Sequence, residues 1–261
     1  MIAYRVRLAD LSQHLIEIEC RIADPAPIQQ LSLPSWIPGS YLLREFARHV
    51  VGIEATSQGR APTVEKIDHS TWAVTGAEAE LCVVLRVHAL DLSARGAYLD
   101  GRRAYFNGTC VFLRVHGREQ EPVDVVLDAS ADSRAASWRV GTAMSPVDTD
   151  ARGFGRYVAS GYDELIDHPV EISDFERVDF VAAGIPHRLI IAGRHQSDLD
   201  RVAADLRQLC EAHLRFFGAP APFDRYVFLG HAVEKGYGGL EHRASSSLIF
   251  DADDLPRPGD T

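Results

Sequence analysis

The chain has 261 residues, 46 % of them hydrophobic, with 27 Lys plus Arg against 37 Asp plus Glu and a formal net charge of −10. That length suits one large domain or two of ordinary size, with apolar content ample for a packed core. The acidic balance argues against nucleic acid or an anionic lipid surface as a partner. No basic leader precedes an apolar block in MIAYRVRLADLSQHLIEIECRIADP, and no run of about 18 apolar residues occurs, so a cytoplasmic protein without a membrane partner is expected.

In chain order, the first half reads as strands. In LIEIECRI, Ile16, Ile18, Cys20 and Ile22 fall on one face and Glu17, Glu19 and Arg21 on the other, the period of a half-buried strand. YRVRLA, STWAVT, ELCVVLRVHA, TCVFLRVHG and PVDVVLDA read the same way, separated by turn signals such as LDGRR and FNGT. Many short strands with hardly any helical period predict an antiparallel β-sandwich or a saddle-like sheet. Between them lies LPSWIPGSYLLREFARHV. Pro34 and Pro38 cannot donate ladder bonds, so Trp36 to Ser40 is expected to form a rigid loop, with Ser40 capping a short helix containing Leu42, Leu43 and Phe46. Either this connection packs Trp36 and Tyr41 into the core, or it presents the loop to a neighbouring cleft.

After about Tyr162 the character changes. DFERVDFVAA and PHRLIIAG read as strands, and Ser197 then caps a long helix, SDLDRVAADLRQLCEAHLRFFG. Its apolar positions Leu199, Val202, Ala203, Leu206, Leu209, Cys210, Leu214 and Phe217 predict one face packed on a sheet, and Gly218 with Pro220 closes it. RYVFLGHA and GGLEHRASSSLIF follow as a strand each, which predicts an α/β or α+β unit. Cys20, Cys82, Cys110 and Cys210 are scattered without CxxC or CxH pairing, as suits reduced thiols in apolar surroundings. The sequon at Asn107 matters only in a secreted protein, for which nothing argues.

Chemistry is harder to find. The eleven histidines include no HExxH or HxH arrangement, and there is no GxSxG elbow, no Walker A sequence and no dinucleotide loop. A metal site assembled in space from His231, Glu241 and His242 is one possibility. The stretch GYGGLEHRASSSLIF is the strongest lead. Adjacent glycines in a strand remove packing, and close approach by another backbone is one reason for them. A peptide adding to such an edge would gain main-chain hydrogen bonds, and Glu241 would then receive charge-assisted bonds from its free α-ammonium. The alternative is a glycine-rich hairpin turn with Glu241 and His242 solvated.

PSWIPGSYLLREFARHV, SGYDELIDHPVEISDF and GYGGLEHRASSSLIF, in this order, resemble the glycyl aminopeptidase family, bacterial zinc peptidases that often carry a PDZ domain. The resemblance implies a mixed β-rich chain: residues 1–165 as the β-sandwich or saddle-like domain, and 166–261 as the α+β opening of a thermolysin-like peptidase domain. The family's HExxH helix and its third ligand, a glutamate, lie beyond the segment matched by Gly238 to Asp254. The chain is therefore expected to bind no zinc itself, although the complete protein would, and to be inactive alone. By a looser likeness to the substrate-aligning strand of related zinc aminopeptidases, Gly238, Gly239 and Leu240 would contact the substrate backbone and Glu241 would hold its α-ammonium. His242 stands where that relative has asparagine, and no role passes to it. The implied substrate is a peptide with a free N-terminal glycine, with alanine leaking through because one methylene is worth only ~1–3 kcal/mol of discrimination. An apolar sheet face left uncovered around RYVFLGHA and SSLIF would favour self-association. The competing expectation is a non-enzymatic β-domain that binds peptides or proteins.

Overall fold

The computed structural model describes residues 1–259; Asp260 and Thr261, the end of the expected second region, lie outside the described residues. Alternation of apolar and polar side chains builds the first and largest sheet. In Leu15–Ala23 the side chains of Ile16, Ile18, Cys20 and Ile22 are fully buried, while Arg7, Arg21 and Arg86 pair with Glu17 and Glu19 on the wet face. This strand is central to a seven-stranded sheet whose order is Ser145–Thr149, Gly155–Ala159, Val123–Leu127, Ile2–Asp10, Leu15–Ala23, Glu80–His88 and Val50–Thr56. Its pairs are antiparallel except Ile2–Asp10 with Val123–Leu127, which run parallel. Two four-stranded sheets complete the β-rich part: Arg114–Val115, Ile28–Ser32, Thr71–Thr75 and Thr63–Lys66, and Arg139–Thr142, Val170–Ser173, Arg103–Phe106 and Ala97–Leu99. Their apolar faces share one core, in which Phe106 and Phe112 are among the largest fully buried side chains.

The α+β unit is a five-stranded sheet ordered Glu176–Ala182, Ile185–Ala192, Tyr226–Val233, Ser245–Asp251 and Gly238–Glu241. Ile190, Ala192, Val227 and Leu229 pack on one face with Ala143 and Phe175, joining the sheet to the β-rich part. On the other face Leu189, Ile191 and Ala232 meet Val202 of the helix Leu199–Phe217. The β-rich part and α+β unit expected from the sequence are thus both present.

Several details differ from expectation. TCVFLRVHG is not a continuous strand: Gly108–Cys110 is a 3-10 turn capped by Asn107, and only Arg114–Val115 pairs, because residues 108–113 turn inward to fill the core. Ser40 caps no helix; its hydroxyl bonds the backbone of Leu42 and receives Arg44 Nε, and the only helical turn nearby is the 3-10 segment Phe46–His49. Trp36 and Tyr41 are not core residues, being 49 % and 100 % exposed. The long helix is capped by Asp198 rather than Ser197, with Asp198 Oδ1 accepting from the Arg201 amide at 3.1 Å. Its packed face stops halfway: Val202 and Ala203 are buried, whereas Leu209, Phe216 and Phe217 are exposed. Large apolar side chains are exposed at the helix end, at Tyr41, Leu42 and Leu43 of the loop and at Leu248 within SSLIF, while Val227, Leu229 and Ala232 of the central strand are buried. All four cysteines are free, and burial pushes the Cys20 thiol up to about 12, leaving it inert at neutral pH. Among the described residues no helix is long and apolar enough to cross a membrane.

Candidate functional site

GGLEHRASSSLIF forms two strands, not one. Gly238–Glu241 turns through His242 to Ala244 and pairs antiparallel with Ser245–Asp251, the His242 amide donating to the Ser245 carbonyl at 2.8 Å. A hairpin turn is therefore present, but the glycines lie in the strand and His242 is buried. Gly238–Glu241 has no strand on its outer side among the described residues, so it is a free edge of the sheet.

Antiparallel pairs alternate between those that exchange hydrogen bonds and those that do not. Counting back from the bonded pair of His242 with Ser245, Leu240 and Gly238 bond inward, while the amides and carbonyls of Gly239 and Glu241 point to the open side. Arg95 Nη2, from the β-rich part, donates to the Gly239 carbonyl at 2.9 Å. The groups left for an incoming backbone are the Gly239 amide and both groups of Glu241, a short patch beside the carboxylate.

Side chains hold this edge in place. Leu240 is 1 % exposed and sits in the core of the β-rich part, so its side chain anchors the strand. Glu241 is exposed and makes no hydrogen bond or ion pair among the described residues, and Tyr237 nearby is fully exposed. The Tyr226 hydroxyl donates to the Ser245 carbonyl at 2.9 Å; burial pushes this phenol up, and the Glu241 carboxylate adds to the effect. Neither Gly238 nor Gly239 has a positive φ, and a Cβ on Gly238 would meet nothing within 4 Å. Neither backbone conformation nor packing inside the molecule calls for glycine at 238.

His242 has a structural partner. Its Nδ1 lies 2.9 Å from Asp167 Oδ1, and the Arg243 amide donates to Asp167 Oδ2 at 3.0 Å, so one carboxylate clasps the turn. Burial disfavours ionised Asp167, but these bonds outweigh it and hold the carboxyl below its usual range. An acid depressed in the folded state stabilises the fold above its unfolded value of about 3.9, and that contribution is lost as pH falls through the lower folded value. The turn is expected to loosen below about pH 4. NMR shifts of the His242 and Arg243 amides check this; a turn unchanged through full protonation of Asp167 would contradict it.

The metal site from His231, Glu241 and His242 does not form. His231 is level with Ile249 and so with Gly238, two strands across and three positions along from Glu241, roughly 14 Å away, while His242 is committed to Asp167. Among the described residues no group of three His, Cys, Asp or Glu side chains is placed to hold a metal ion. These residues do not fit zinc, and what they can do is bind and orient.

Gly39, Arg95 and Asp167 belong to the site and carry no local motif. Gly39 lies in the loop flagged by its prolines and Asp167 in a segment that carries the family resemblance, but Arg95 and Asp167 reach the edge only through tertiary folding, which no local pattern announces.

A β-rich part grips the free edge of an α+β sheet, and an unpaired carboxylate stands at that edge, an arrangement able to align a peptide backbone. The chain belongs to the M61 peptidase family: residues 3–174 match the family model described as the peptidase M61 N-terminal domain. It is similar over 100 % of its length, at 38 % identity and a TM-score of 0.96, to a crystal structure described as an aminopeptidase N family protein from Idiomarina loihiensis. The chain spans 44 % of that protein. No curated protein matches it. The family resemblance read from the sequence is therefore borne out.

Proposed function

We propose that these residues form the amine-recognising part of a zinc aminopeptidase that removes N-terminal glycine, and alanine less well, from peptides. Membership of the M61 family and likeness to an aminopeptidase N family protein support the class. The observation that carries the assignment to this site is the edge strand itself: a glycine that no packing among the described residues requires, followed by a carboxylate without a partner among them. A peptide would add antiparallel to Gly238–Glu241, pair with the Gly239 amide and Glu241 backbone, and place its α-ammonium on the Glu241 carboxylate. Recognition of the amine fixes the distance from the chain end to the reacting bond, which restricts cleavage to the first residue.

Calorimetric titration with a glycine-initiated peptide and with its N-acetylated form tests this reading. The free amine is expected to bind roughly 10- to 100-fold tighter, the worth of one hydrogen bond between charged groups. An alanine-initiated peptide should fall between the two. Equal affinity for the free and acetylated peptides would remove the amine site and leave a general peptide-binding edge.

A further inference from the structure

The loop around Gly39 belongs to the β-rich part, yet it rests against the edge strand of the α+β sheet. Gly39 has φ +81°, in the left-handed region, and a Cβ placed on it would lie 2.9 Å from Leu240 Cδ1 and 3.2 Å from Glu241 Oε1. The loop has little room to retreat. Trp36 Nε1 donates to the Ser40 carbonyl at 2.8 Å, the Ser40 amide to the Ile37 carbonyl at 3.1 Å, and Arg44 Nε to Ser40 Oγ at 2.9 Å. Pro34 and Pro38 restrict the backbone further. On the other side Leu240 is held in the core, which leaves the exposed Glu241 carboxylate as the group that a larger residue at position 39 would displace.

We propose that Gly39 is a positioning residue for amine recognition: a rigid loop of the β-rich part, bare of a side chain at this point, forms the wall that sets where the Glu241 carboxylate stands. The subsite for the first residue is then shared by both parts of the chain. This rests on the reading of Glu241 as the amine anchor and extends it, because it assigns specificity to a segment distant in sequence from the edge strand.

The test is the ratio of dissociation constants for an N-acetylated and a free glycine-initiated peptide, measured for the parent chain, Gly39→Ala, Gly59→Ala and Glu241→Gln, with melting temperatures alongside. Gly59 has φ +76°, and a Cβ added there would meet nothing within 4 Å, so Gly59→Ala reproduces the backbone strain without the contact. Gly39→Ala is expected to lower the ratio about tenfold through weaker binding of the free amine, with acetyl-peptide affinity unchanged, and Gly59→Ala to keep the parent ratio. A parent-like ratio in Gly39→Ala, or an equal loss in Gly59→Ala, overturns the proposal. Should Gly39→Ala not fold, Trp36→Phe carries the test by releasing the bond to Ser40: a lower ratio is expected, and an unchanged one overturns it. If Glu241→Gln keeps the parent ratio, the amine site fails and this inference with it. If Glu241→Gln abolishes the ratio and Gly39→Ala does not, only the role of Gly39 fails.

Discussion

Leu240→Ala is expected to destabilise the protein by ~2–5 kcal/mol and to release the edge strand Gly238–Glu241. Leu240 is 1 % exposed and is the residue by which the strand Gly238–Glu241 enters the core of the β-rich part. Truncation removes the transfer free energy of the buried atoms and leaves a cavity that two rigid sheets cannot readily close. Because the strand has a partner on one side only, loss of this anchor should show first as faster hydrogen exchange at the inward-bonded Leu240 and Gly238 amides, ahead of the central strands. Chemical denaturation gives the global figure; a loss below about 1 kcal/mol would mean that the strand is held by its ladder alone. Leu240→Met, which roughly conserves volume, should lose less than about 1.5 kcal/mol.

The second large effect is expected at Arg103 and Glu171. They form an ion pair with side chains 7 % and 3 % exposed, on neighbouring strands beneath the five-stranded sheet. They line a small chamber with Tyr105, His231 and Ser247, and Tyr105 bridges to Ser247 at 2.8 Å. Burial pushes the Glu171 carboxyl up while Arg103 opposes that rise. Arg103→Met leaves an acid buried without its counter-charge and should lower stability by about 3–5 kcal/mol at neutral pH. The loss should shrink on acidification, since a protonated Glu171 needs no counter-charge. The double variant Arg103→Met with Glu171→Leu should regain most of the stability; a double variant as unstable as the single one would show that the pair is needed for shape and not for charge.

What the sequence disclosed follows from the range of the forces involved. Strict alternation in Leu15–Ala23 and Glu80–His88 is a local pattern, and those strands form where it places them. The apolar run after Thr109 misleads because its residues are buried from several directions, which periodicity in one dimension cannot distinguish from a strand. The helix Leu199–Phe217 is legible, but how far along it packing extends is not, since that depends on what the sheet offers beneath it. At the site, the adjacent glycines and Glu241 are visible as a stretch, and the free edge beside them follows from sheet order. Burial of the Leu240 side chain and the inward direction of its amide likewise follow from the sheet and core, not from the local stretch. Gly39, Arg95 and Asp167 are 202, 144 and 75 positions from Glu241, Gly239 and His242 respectively, distances only the tertiary fold closes.

In space, Gly238–Glu241 is the outermost strand of its sheet; in the chain it precedes Ser245–Asp251, the only strand with which it pairs among the described residues. Synthesis therefore delivers the edge strand before the strand that supports it, and Ser245–Asp251 must in turn align in parallel with Tyr226–Val233. Until then the newly made segment has Leu240 and its contacts with the β-rich part to hold it. The N-terminal portion, which emerges earlier, is thus a template waiting for a strand that the rest of the sheet cannot yet receive.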